Sequence, residues 1–146
     1  MAERPLSPHL SIWKWGPNMV VSILHRVSGD GLALVGLPVM LWWLGALAGG
    51  AASYATFSGW MWADLSQLAW SGGAWIVIAS LIKVVLKIVT IGLSWAFFNH
   101  VSSGLRHFVM DVGAGYEVHA NRTWSLATTF LGIILTVAFW AAILWK

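Results

Sequence analysis

The chain has no cysteine and very few charged residues, and both shortages restrict what it can be. Without cysteine there can be no disulfide, no iron–sulfur cluster ligated by this chain and no CxxCH haem attachment. Only 9% of the 146 residues are charged, whereas a soluble domain carries about 25%. With 59% hydrophobic residues and a mean hydropathy of +0.78, the composition predicts an all-α integral membrane protein. The formal net charge of +3 is too small to indicate a nucleic-acid partner.

The N-terminal stretch lacks the apolar h-region of a signal peptide. Residues 1–18 are polar, and Pro5, Pro8 and Pro17 deny them a long helix. We therefore expect an interfacial tail over residues 1–18, followed by a transmembrane domain over 19–146. The chain also has no dinucleotide-binding fingerprint, so nothing in it predicts flavin or nicotinamide chemistry.

Long apolar runs predict three transmembrane helices, at about 20–48, 83–110 and 123–145. Pro38 lies in the middle of the first span and should kink it. The connection over residues 49–75 is rich in tryptophan, which predicts an interfacial segment that includes a short amphipathic helix. Lys83 and Lys87 are one helical turn apart, so we expect them to snorkel to the headgroups where the second span begins. The distribution of Lys and Arg weakly favours an N-terminus on the cytoplasmic or matrix side.

Residues 97–111, FFNHVSSGLRHFVMD, place ionisable side chains inside an otherwise apolar span. Such groups are costly at membrane depth and usually serve a cofactor, an ion path or a polar partner. His100 and His107 are seven residues apart, so they share one helix face and lie roughly 10 Å apart along the axis. Gly104, on the same face, removes bulk where a flat ligand could lie.

The first two spans run antiparallel, which brings two basic dipeptides to one membrane level. His25 and Arg26 enter the first span where Arg106 and His107 leave the second, and His100 lies deeper. This polarity suits a b-type haem, whose iron takes an axial imidazole and whose propionates need cations near the interface. A quinone headgroup could use the same neighbourhood.

Each of these residues also has a simpler interpretation from its position alone. His100 could make an interhelical hydrogen bond, and His107 could contact lipid headgroups. Arg26 could be an interfacial anchor, and Ser22 a packing hydroxyl. On this alternative the chain is a small transporter or a structural membrane protein with intramembrane histidines.

Three motifs together resemble the cytochrome b subunit of succinate dehydrogenase, a membrane anchor of succinate:ubiquinone oxidoreductase. They are RPLSPHLSIWKW, SILHRVSG and HVSSGLRHFVMD, and their order and separations agree with that family over nearly the whole chain. Asp30 and Gly31 depart from the apolar residues expected after SILHRVSG. Trp13 stands where the family often has tyrosine.

The resemblance implies a set of cofactors, partners and site residues. It implies three helices that pair with a second small anchor subunit to hold one haem b, with His100 as this chain's axial ligand to the haem iron. It places His25, Arg26, Arg106 and His107 near the haem propionates, and Ser22 and Arg26 at a ubiquinone pocket. Other implied partners are an iron–sulfur subunit, a flavoprotein subunit and the lipid of a bacterial or mitochondrial inner membrane. The same resemblance also covers the anchor of a quinol:fumarate reductase.

Overall fold

The computed structural model describes residues 14–145, in which three long helices form an antiparallel bundle. The first comprises α1 (Pro17–Gly31), a π-helical turn (Leu32–Gly36) and α2 (Leu37–Ala48) in unbroken succession. A shorter helix, α3 (Ala51–Met61), and a 3₁₀ turn (Leu65–Gln67) lead to α4 (Ala74–Asp111) and then α5 (Val118–Leu144). All three long helices are long and apolar enough to cross a membrane. The prediction of an all-α membrane protein with three spans is confirmed, and the predicted tail falls mostly on residues 1–13, outside the described residues.

A π-helical turn precedes Pro38, the residue predicted to kink the first span. Proline has no backbone N–H to donate and crowds the preceding turn of a helix. The N–H of Leu37 donates to the carbonyl of Leu32, five residues back, instead of the usual four. One wide turn thus absorbs the disturbance while the helix continues across the membrane.

The tryptophan-rich connection folds back on the bundle through α3. Phe57 and Met61 are buried and pack with Ala46 of α2, and Leu86 of α4 lies against this cluster. After α3, Asp64 Oδ1 accepts hydrogen bonds from the backbone N–H and the hydroxyl of Ser66. These two bonds lower the pKa of the Asp64 carboxyl.

Lysine–tryptophan contacts lie at the end of the bundle where α4 begins, which we call the lysine end. The ammonium of Lys83 lies 5.7 Å from the ring of Trp60, and that of Lys87 lies 5.9 Å from the rings of Trp62 and Trp140. Such cation–π contacts suit an interface where one side of a ring is wet. At 38 residues, α4 is roughly 57 Å long, which exceeds a hydrocarbon core of about 30 Å. Its first turns therefore extend beyond the core.

The centre of the bundle is small and polar, whereas most of the large apolar side chains face outward. The buried residues of α4 and α5 include Asn99, Ser103, Ser125 and Thr136. Small residues let helix backbones approach closely, and this packing drives association where lipid removes the hydrophobic advantage. The closest approach is at Gly132, where an added Cβ would lie 2.9 Å from Cα of Asn99.

We expect Gly132→Ala to destabilise the bundle, because its Cβ would meet the backbone of α4 rather than a movable side chain. Overpacking of this kind costs about 1–3 kcal/mol. The matched control is Gly92→Ala within α4, whose added Cβ meets nothing within 4 Å. The measurement is the midpoint of detergent denaturation of the purified protein. Equal midpoints for the two variants would show that the α4–α5 contact is looser than described.

Candidate functional site

Three histidines meet where α1 begins, α4 ends and α5 begins, at what we call the histidine end of the bundle. The rings of His25 and His100 are stacked, with centroids 3.9 Å apart and planes within 9° of parallel. The ring of His107 lies 5.1 Å from that of His25, tilted by 56°. His25 of α1 therefore sits between two histidines of α4, and these three residues form the histidine cluster.

Hydrogen bonds assign the tautomer of His100. Its Nδ1 lies 3.0 Å from the backbone carbonyl of His25, and a carbonyl oxygen can only accept. Nδ1 therefore carries the proton, which leaves the lone pair of a neutral ring on Nε2. The hydroxyl of Ser28 lies 3.2 Å from the same Nδ1 and donates to the His25 carbonyl over 2.9 Å. No hydrogen bond from another described residue reaches Nε2 of the half-buried His100 ring.

His25 is held by a fully buried serine of α4. Its Nδ1 lies 2.6 Å from the hydroxyl oxygen of Ser103. That hydroxyl donates to the carbonyl of Asn99 over 2.8 Å, so its oxygen accepts from the His25 ring. This contact anchors the His25 ring to α4 through Nδ1 and leaves Nε2 without a hydrogen-bond partner among the described residues.

Two glycines make room for the rings. A Cβ on Gly29 would lie 2.9 Å from Cε1 of His100, so only glycine lets the ring lie this close to α1 without displacement. A Cβ on Gly104 would lie 3.7 Å from Cε1 of His25, an ordinary contact. The space expected beside Gly104 is thus occupied in part by the His25 ring.

The structure turns Arg106 away from the histidine cluster and toward α5. Its side chain is buried, and Nη2 donates to Oδ1 of Asn121 in the first turn of α5. Its Nε is buried and has no hydrogen-bond partner among the described residues. Arg106 therefore occupies a different surface of α4 from His100 and His107.

The two residues expected at a quinone site both lie on α1. Ser22 is half-buried and Arg26 is exposed, one turn further along the helix. Arg26 follows His25 in sequence, so the exposed guanidinium and the half-buried imidazole start from the same turn. The three clustered histidines and Arg26 thus share the histidine end, as the antiparallel spans require.

Ser28, Gly29, Ser103 and Asn121 hold this arrangement and were not among the predicted residues. Both serines have a sequence signal, because each stands three positions after a histidine, in HRVS and in HVSS. Positions three apart share a helix face. Asn121 carries no comparable signal, since its contact depends on how the loop after α4 places α5.

The side chains at the histidine end fit one imidazole ligand to a metal, that of His100, rather than a complete metal site. Within residues 14–145, no group of three or more His, Cys, Asp or Glu side chains could hold a metal ion. A haem iron needs only one axial ligand from each side. An Nδ1–H tautomer held by a backbone carbonyl, with Nε2 free, is the usual form of a ligating histidine. The residues present therefore fit an axial haem ligand at His100.

The fold and the site define a class of protein: a three-span helical membrane subunit with an ordered histidine cluster at one end. The chain belongs to the succinate dehydrogenase/fumarate reductase transmembrane subunit family, whose model matches residues 1–139. The resemblance seen in the three motifs is thereby confirmed. The chain is accordingly a membrane-anchor subunit of that type.

Individual relatives agree with the family match. The chain is 28% identical to the succinate dehydrogenase cytochrome b556 subunit of Rickettsia felis, over 94% of this chain and 91% of the relative. It is 29% identical to the cytochrome b556 subunit of Paracoccus denitrificans, over 92% and 88%. It is 30% identical to the mitochondrial cytochrome b560 subunit of Mus musculus, over 91% and 68%. Both bacterial and mitochondrial relatives thus match this chain over most of its length.

We expect Ser103→Ala to weaken the α1–α4 contact, because it leaves Nδ1 of His25 without its acceptor. An unsatisfied buried donor costs about 1–3 kcal/mol. Ser102→Ala is the control, since Ser102 is also buried but lies with Arg106 on the α5 side of the helix. The denaturation midpoint of each purified variant is the measurement, and similar losses from both would refute a specific role for the Ser103 hydroxyl.

Proposed function

We propose that this chain is the haem b-binding anchor subunit of a succinate dehydrogenase, and that His100 is its axial ligand. The observation that supports this best is the hydrogen bond from Nδ1 of His100 to the His25 carbonyl. It fixes the tautomer, orients the ring and leaves Nε2 as the one nitrogen able to ligate iron. Haem b, when bound, would supply a one-electron carrier at the histidine end of the bundle.

The partners follow from the chemistry that this chain lacks. No cysteine is available for an iron–sulfur cluster and no dinucleotide motif for a flavin. Succinate oxidation and the first electron transfers therefore belong to a flavoprotein subunit and an iron–sulfur subunit. A second small anchor subunit would contribute the other axial histidine, so the three spans form half of a heterodimeric bundle around the haem. We place this assembly in a bacterial or mitochondrial inner membrane, with the histidine end on the cytoplasmic or matrix side.

Cations at the histidine end would offset the two haem propionates. We assign this role to His25, Arg26 and His107, which lie on or next to the histidine cluster. Carboxylates in a low-dielectric region need a nearby positive charge or hydrogen-bond donors. Arg106 points toward Asn121, and its expected place among the propionate ligands stays a prediction.

Ser22 and Arg26 would line the site where ubiquinone is reduced. They are four residues apart, hence on one face of α1 near its start, and Arg26 is exposed there to any ligand at the interface. A hydroxyl can donate to a quinone carbonyl, and a guanidinium stabilises the negative charge that develops on reduction. The rest of the pocket would come from the second anchor and the iron–sulfur subunit.

The main alternative is an anchor of a quinol:fumarate reductase, because the family includes both enzymes. The relatives named above are succinate dehydrogenase subunits, which favours the direction from succinate to quinone. Membership of this family also disfavours a transporter with intramembrane histidines.

We expect His100→Ala to abolish or rearrange the low-spin b-type spectrum of the purified complex, because it removes the free Nε2. The measurement is the reduced-minus-oxidised absorbance difference at the α-band. His119→Ala is the control, since His119 is exposed near the start of α5. An unchanged spectrum in His100→Ala would overturn the assignment and make His107 the candidate ligand.

We expect Ser22→Ala and Arg26→Leu to lower ubiquinone reductase activity while succinate oxidation by an artificial dye acceptor persists. The effect of Arg26→Leu should be the larger, because it removes a charge. Arg122→Leu is the control, since Arg122 is an exposed arginine at the same end of the bundle.

Two results would contradict this assignment. Parallel loss of both activities would indicate failed assembly of the complex, and full retention of both would place the quinone site elsewhere.

A further inference from the structure

A groove between α4 and α5 lies on the side of α4 opposite to the histidine cluster. It encloses a cavity of about 220 Å³, bounded at its membrane-surface end by the loop after α4. We call it the Arg106 groove, and its main lining residues are Leu105, Arg106, Val109, Trp124, Thr128 and Leu131. Apart from Arg106 and Thr128, these walls are apolar.

The groove faces the outside of this chain rather than its centre. Leu105 is 59% exposed, Val109 50% and Trp124 58%, although Arg106 on the floor is only 9% exposed. An occupant could therefore enter from the surrounding membrane and reach a charged group that is otherwise buried. Arg106 lies five residues before the end of α4, close to the membrane interface.

Arg106 is a buried cation whose hydrogen-bonding capacity is mostly unused. Its Nη2 donates to the neutral amide oxygen of Asn121, and no acidic side chain among the described residues pairs with it. Its Nε–H is buried without any acceptor. A buried unpaired donor on a charged group is rare enough in native structures to require a missing partner.

The residues that line the groove indicate which kind of molecule would occupy it. An anionic acceptor best offsets the charge of a buried guanidinium, and phosphate accepts from two N–H groups of arginine at once. The remainder of the occupant must be apolar to fill the space along Leu105, Trp124 and Leu131. Basic pockets between transmembrane helices near the interface bind the headgroups of anionic lipids.

We propose that the Arg106 groove binds one anionic phospholipid, with its phosphate on the guanidinium of Arg106 and an acyl chain between α4 and α5. Asn121 positions the guanidinium through Nη2 and leaves the other nitrogens for the phosphate. Asn121 lies in the first turn of α5, so the headgroup end of the groove is toward the membrane surface and Leu131 is toward its centre.

The test uses the whole complex, purified through a tag on the full chain and stripped of lipid in mild detergent. Dioleoylphosphatidylglycerol or dioleoylphosphatidylcholine is added back, and native mass spectrometry counts the retained lipids. We expect the wild type to prefer the phosphatidylglycerol and Arg106→Gln to bind it at least about tenfold more weakly. Arg122→Gln, which removes an exposed arginine at the same end, should bind as the wild type does.

A second variant leaves the charge intact. Leu131→Trp should fill the apolar part of the groove and reduce retention of phosphatidylglycerol even though Arg106 is present. Equal retention of the two lipids by the wild type would overturn the proposal without reference to any variant. Full retention by Arg106→Gln would also overturn it.

Two other partners of Arg106, a haem propionate and an acidic side chain of another subunit, would give different results. If Arg106→Gln retains phosphatidylglycerol but shifts the b-type absorbance, the arginine serves a haem propionate and the lipid proposal is wrong. A structure of the complex showing an acidic side chain of another subunit on Arg106 would refute it equally.

Discussion

One hydrogen bond across the α1–α4 contact determines what the histidine end can do. Nδ1 of His100 donates to the His25 carbonyl, and this single bond fixes the tautomer, the ring plane and the position of Nε2. The stacked His25 ring and the missing Cβ of Gly29 leave the ring little freedom to turn away. An imidazole at membrane depth costs free energy unless it has such partners. The same contacts that satisfy the ring also give it the orientation that the proposed ligation of haem iron needs.

The bundle supports this site by packing that reverses the pattern of soluble proteins. Small and hydroxyl-bearing residues fill its centre, and bulky apolar residues face the lipid. The hydroxyl groups donate hydrogen bonds to nearby backbone carbonyls or to another helix. Ser125, for example, donates to Oδ1 of Asn18 on α1 over 2.7 Å. Trp140 ties α5 to α4 toward the lysine end by donating to the Ser94 hydroxyl over 2.8 Å. Polar contacts at both ends thus fix how the helices are aligned along their axes. The contact of His25 with His100 and His107 depends on this alignment.

The features that depend on hydrophobic periodicity, on the length of apolar runs and on composition can be predicted from the sequence. Three spans follow from apolar runs, and the disturbance near Pro38 follows from its missing N–H. The meeting of His25 with His107 follows from antiparallel connectivity, because level along a helix axis can be counted in residues. The rotation of a helix about its own axis, which decides which neighbour each side chain faces, cannot be counted in this way. Arg106 and His107 are adjacent in sequence, yet a turn of about 100° per residue sends one toward Asn121 and the other toward His25. The folding of α3 onto α2 and α4 likewise depends on side-chain fit rather than on a periodic pattern.

We infer that His100 presents Nε2 to a haem iron shared with another subunit. A structure of the complex, purified through a tag on this chain and determined by electron cryo-microscopy, tests it most directly. We expect one b-type haem at the histidine end, ligated by Nε2 of His100 on one side and by a histidine of the second anchor subunit on the other. Nδ1 of His100 should remain on the His25 carbonyl. A haem ligated by two residues of other chains, or a histidine end packed against protein without haem, would contradict it.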